Sequence, residues 1–197
     1  MKKVRLTTTI MVMAFLSLTA MSCKDNKKQD SQDAMHSGMN NDKMNTSNDM
    51  MDANAQNSEA EKILADYMTL KDALVATDES ASAKAGKQLE NTLKSFDVSS
   101  YTPEQQKELK DIIEVATEHA EHISRSDVAH QREHFQMLTK DITDMVAITG
   151  TENTLYEQFC PMYEDDGGAW LSMNKEIRNP YFGDKMLKCG EVKREIN

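Results

Sequence analysis

The chain has 197 residues, a formal net charge of −10 and 28% charged residues, with a mean hydropathy of −0.66. That length allows one domain with a tail, and so low a hydropathy implies that part of the chain is polar and unfolded. The acidic balance excludes binding to a phosphate backbone, which needs a basic face to displace counterions, so no nucleic-acid partner is expected.

The first predicted element is an export signal over residues 1–22. Lys2, Lys3 and Arg5 supply its positive start, and Ile10 to Thr19 supply an apolar core too short to span a bilayer comfortably. The run Leu18-Thr19-Ala20-Met21-Ser22-Cys23 resembles a bacterial lipoprotein signal. The resemblance implies lipidation of Cys23 and a membrane-anchored protein of the cell envelope, facing the periplasm or the cell surface. An ordinary secretory signal that happens to contain Cys23 is the other reading.

Residues 23–58 show no hydrophobic period and no aromatic residue, and predict a disordered tether. Within it lie Met35, His36, Met39, Met44, Met50 and Met51, but no Leu, Ile, Val or Phe. Thioether sulfur is soft and suits Cu(I), so these residues are candidate ligands for labile copper; methionine left in a neutral linker is the alternative.

From Glu59 the period becomes helical. Ile63, Leu64, Tyr67, Leu70, Leu74 and Val75 make one stripe; Ala81, Ala85, Leu89, Leu93 and Phe96 make a shorter one that contains Gly86. Thr102-Pro103-Glu104-Gln105 predicts the start of a third helix, with a capping hydroxyl, Pro at the first position and Gln at the third. A fourth follows Ser124 to Asp127 and ends before Gly150. The predicted fold is mainly α: an antiparallel bundle of about four helices over 59–150, closed by an irregular or short-stranded, aromatic and glycine-rich cap over 151–197.

Four histidines surround the third turn: His119 and His122 before it, His130 and His134 after it. Spacings of three and four put each pair on one side of a helix, as metal ligation requires. They fall on the flank of the apolar stripe, where solvated histidine is the plain alternative.

The cap holds Phe159-Cys160-Pro161-Met162, Ala169-Trp170-Leu171-Ser172 and Asn179-Pro180-Tyr181-Phe182-Gly183-Asp184-Lys185-Met186-Leu187-Lys188-Cys189-Gly190. This pattern resembles an uncharacterised family of Gram-negative envelope proteins. Its members are small lipoproteins or C-terminal extensions of periplasmic adaptors in heavy-metal efflux pumps, and the resemblance implies metal handling by association. The Cys-Pro-Met step is also similar to a small heavy-metal-binding motif, but Tyr163-Glu164 stands where that motif has His-Pro. From the residues themselves, Cys160, Met162, Met186 and Cys189 make a soft donor set for Cu(I). Equally, Cys160 and Cys189 are the thiols left after lipidation, and an oxidising envelope favours a disulfide between them.

The expected function is therefore an anchored envelope protein that binds or buffers a soft heavy metal, copper first, beside an efflux adaptor. The alternative is a disulfide-stapled interaction module docking through Trp170, Tyr181 and Phe182. No enzyme is expected: no His follows His134 to serve a thiol nucleophile, and no Ser elbow or phosphate-cradling Gly loop occurs.

Overall fold

The computed structural model describes residues 46–197, with side chains described from Ser58 onward. Four helices follow in chain order: α1 (Thr46–Val75), α2 (Glu79–Lys94), α3 (Pro103–Ile123) and α4 (Val128–Thr149). Their ends are set by local chemistry. The Asp78 carboxylate accepts from the Ala81 N–H at 2.9 Å to start α2. Thr102 and Gln105 complete a capping box around Pro103. Asp127 Oδ1 accepts from the N–H groups of Ala129 and His130 at 3.0 and 3.1 Å to start α4, and Gly150 ends it at a φ of 72°.

One boundary differs from the predicted organisation. α1 begins at Thr46, inside the segment read as a tether up to residue 58. Met50, Met51, Ala53, Ala55 and Gln56 are good helix formers, and no Pro or Gly interrupts them. Once the packed turns from Ala60 onward are fixed, extending the helix costs no new nucleus. The export signal, Cys23, Met35, His36, Met39 and Met44 lie outside the described residues; Met50 and Met51 are placed on α1 by its backbone alone.

Short connections return each helix against its predecessor. Ile63, Leu64, Tyr67, Leu70 and Leu74 are buried with Leu89, Leu93, Leu109, Phe135, Leu138 and Ile142 in one core. The thin stripe of α2 is sufficient because α2 approaches closely. A Cβ at Gly86 would sit 2.8 Å from Ile123 Cγ2, so the missing side chain lets α2 close on the end of α3.

The cap is a sheet of three short strands, β1 (Leu155–Cys160), β2 (Gly168–Ser172) and β3 (Glu191–Ile196), ordered β2-β1-β3 with both pairings antiparallel. A register shift between Glu157 and Gln158 explains why β1 buries Leu155, Gln158 and Cys160 rather than strictly alternate residues. The cap docks on the bundle through buried and half-buried polar groups. Tyr67 of α1 shares a hydrogen bond of 2.8 Å with Thr139 of α4, and its hydroxyl accepts from the Leu171 N–H of β2 at 3.1 Å. Arg132 of α4 donates to the Pro180 carbonyl at 2.9 Å. Trp170 and Tyr181 are 0% and 2% exposed. Tyr181 meets Phe135 of α4, Trp170 packs on Tyr181 within the cap, and Phe182 beside them is partly exposed. Among the described residues no helix is long and apolar enough to cross a membrane.

Candidate metal centre

The turn between α3 and α4 is held rigidly by a buried amide. Gln131 is 0% exposed, and its Nε2 donates to the carbonyls of Ile123, Ser126 and Glu79 at 3.2, 3.0 and 3.1 Å. Ser126 Oγ donates to the His122 carbonyl at 2.6 Å, satisfying an end of α3 that would otherwise lack a partner. Two helices clamped this closely bring the four histidines together.

The imidazoles form a chain. His119 Nδ1 lies 3.0 Å from His134 Nδ1, His134 Nε2 lies 3.1 Å from His130 Nε2, and His130 Nδ1 lies 2.8 Å from Glu133 Oε2. The His122 ring stacks on His134, with centroids 4.3 Å apart and planes at 10°. Ligand-capable atoms of His122, His130 and His134 all fall within 4.8 Å of one another. Nitrogen ligands at tetrahedral Zn(II), with bonds of about 2.0–2.1 Å, stand about 3.3 Å apart, close to the 3.1 Å between the His130 and His134 Nε2 atoms.

The electrostatics favour neutral rings. Burial, followed by the fields of His122, His130 and His119, pushes the His134 pKa down to about 4. Burial likewise lowers that of His119. On these two rings a free lone pair, rather than a second proton, is then present at neutral pH, and a neutral ring is the form that ligates a metal. At the far end of the chain His119 Nε2 lies 3.8 Å from Asp141 Oδ2. That oxygen is buried and has no hydrogen-bond partner, and burial raises the Asp141 pKa to about 6. Asp141 was not among the sequence candidates. The available signal was its position seven residues after His134, two turns along the same face of α4.

The sulfur candidates are placed differently. Cys160 ends β1 fully buried, and the Cys189 thiol is in hydrogen-bonding contact with it. That contact, followed by burial, raises the Cys189 pKa to about 11, while the Met162 backbone N–H donates to the same sulfur. Both are free thiols in this structure. Met162 is 63% exposed and Met186 is half-buried at the end of the 3-10 turn Gly183–Lys185. The thiols are thus brought together, whereas Met162 shares the site through its backbone.

Contact between two thiols in an apolar pocket has a testable consequence. A disulfide reagent is expected to oxidise Cys160 and Cys189 to one bridge, the two hydrogens passing to the reagent. Closing a loop of about 30 residues is worth about 2–4 kcal/mol. That corresponds to a rise of about 5–10 °C in the unfolding temperature, absent from a Cys160→Ser, Cys189→Ser double variant. Peptide mapping that finds both thiols still free after treatment sinks this expectation.

Fold and site together define a four-helix bundle with a small docked sheet and an imidazole cluster at the edge of one helical hairpin. Over residues 63–154 the chain is similar to a family described as a protein of unknown function, DUF3347. The matched stretch contains all four hairpin histidines and stops before β1, leaving out Cys160 and Cys189. No curated protein and no solved structure matches the chain.

Proposed function

We propose that this is an envelope metal-binding protein, anchored through Cys23, whose folded part holds one borderline transition-metal ion, Cu(II) or Zn(II), at His122, His130 and His134. The observation that carries the reading is the convergence of three ring nitrogens from two clamped helices within 4.8 Å. Imidazole suits copper, zinc and nickel, and three such donors leave a position open for a further ligand or for transfer of the ion. The softer sites, the Met-rich segment and the Cys160–Cys189 pair, would serve Cu(I) in the same protein. Buffering of copper beside an efflux adaptor is the role that joins these features to the sequence resemblance.

The full-length protein is expected to take up one equivalent of Zn(II) or Cu(II) in competition with a chromophoric chelator. A His122→Ala, His130→Ala variant of unchanged circular dichroism is expected to lose that equivalent. Equal uptake by the two proteins overturns the reading. A Cys160→Ser, Cys189→Ser variant, tested in parallel, separates thiol-bound from imidazole-bound metal.

A further inference from the structure

We infer that His119 and Asp141 are positioning residues rather than ligands, forming a relay Asp141–His119–His134 that fixes the tautomer in which His134 presents Nε2 to the ion. The inference rests on the metal-binding reading above and deepens it.

A neutral imidazole has one N–H donor and one lone pair, so a chain of imidazoles must pass its protons in one direction. His134 has both nitrogens engaged: Nδ1 at 3.0 Å from His119 Nδ1 and Nε2 at 3.1 Å from His130 Nε2. An ion shared with His130 enters at Nε2, which then cannot carry a proton. The proton sits on His134 Nδ1 and is donated to His119 Nδ1. His119 is thereby forced to carry its own proton on Nε2, the nitrogen that faces Asp141 Oδ2 across 3.8 Å.

The end of that chain is the one buried carboxylate oxygen without a partner among the described residues. A buried acceptor left unpaired is costly, and it is normally retained for a reason. With the opposite proton order, His119 would turn a lone pair toward Asp141, and the carboxylate would find no donor there. With the ion bound, His119 Nε2–H points at Oδ2, and a closure of under an ångström makes the hydrogen bond. The metal thus selects one proton order through three side chains, and Asp141 supplies the acceptor that rewards it. Ligand histidines held through their second nitrogen by a carboxylate are a general device for fixing ring orientation and basicity. Here the carboxylate acts through an intervening imidazole. On the outer side, Glu133 Oε2 at 2.8 Å from His130 Nδ1 makes the direct version of the same contact.

The test is two-bond proton–nitrogen correlation spectroscopy on the 15N-labelled full-length protein, which reads the tautomer of each imidazole, with and without one equivalent of Zn(II). Zinc is expected to convert His134 to the Nδ1–H form with a metal-bound Nε2, and His119 to the Nε2–H form. Asp141→Asn, whose amide N–H₂ can donate to His119 Nε2, is expected to weaken zinc binding about tenfold and to hold His119 in the Nδ1–H form. Normal zinc binding at His122, His130 and His134 with His119 staying Nδ1–H, or with His119 itself bound to zinc, overturns the relay alone. Equal zinc affinity and equal tautomers in Asp141→Asn do the same. Absence of any zinc-dependent change at those three histidines overturns the metal reading, and the relay with it.

Discussion

Replacing His134 with alanine is expected to lower the affinity for Zn(II) or Cu(II) by ~100-fold or more, since losing even an outer hydrogen-bond partner of a ligand costs about 10–100-fold. His134 is the centre of the cluster: it contacts His119 and His130 through its two nitrogens and His122 through its ring face. The same variant is expected to change the acid limb of stability. The His134 pKa is about 4 in the fold against an ordinary 6.5, so the unfolded chain binds the proton more readily than the native one. Stability is therefore complete above about pH 6.5 and is lost as pH falls toward 4. Because solvent reaches part of the ring, the loss is on the order of 1 kcal/mol. Asp141, raised to about 6, acts in the opposite sense and gains stability as pH falls through that value. Urea midpoints from pH 7 to pH 4 should fall less steeply in His134→Ala than in the wild type. An identical slope would show that His134 is not held neutral by burial and its neighbours.

Phe135→Ala is expected to cost about 3–5 kcal/mol, which for a domain of this size is a fall of about 10–15 °C in unfolding temperature. The side chain is fully buried. It stacks on Tyr67 of α1 at 5.2 Å with planes at 17°, and it meets Tyr181 of the cap at 5.9 Å. Phe135 thus bridges the bundle core and the cap, so the cavity would lie where the two must hold together. Phe135→Leu keeps most of the volume and should cost about 1 kcal/mol. A thermal melt of Phe135→Ala within 3 °C of the wild type would show that the sheet docks independently of this ring.

Much of the bundle was legible because its instructions are local. Thr102, Pro103 and Gln105 sit next to one another, and a cap needs nothing else. The stripe from Ile63 to Leu74 announces a buried helical face because its period is 3.6 whatever lies opposite. The start of α1 was misplaced for a related reason. Hydrophobic periodicity marks where a helix packs, whereas the backbone of α1 begins at Thr46, among good helix formers that carry no such period. In the cap, turn residues and aromatics left irregular structure and short strands both open, and said nothing of pairing. β3, at the end of the chain, joins β1 across the whole of β2 and the 3-10 turn. No local signal specifies such a partner.

The acidic, weakly apolar composition, the four helices with their caps, and the two histidine pairs at spacings of three and four follow from the sequence by itself. Each depends on neighbours within a turn or two of helix. Which way those histidines face is a different kind of fact, because helical spacing sets the angle between two side chains but not the rotation of the helix about its axis. That rotation is set by packing: α2 closes on Ile123 at Gly86, Gln131 ties the turn, and His119 and His122 meet His130 and His134. Only the folded chain brings Cys189 to Cys160, buries Trp170, and leaves Asp141 Oδ2 unpartnered beside His119. These are contacts between surfaces, and their geometry is settled by packing after the local structure has formed.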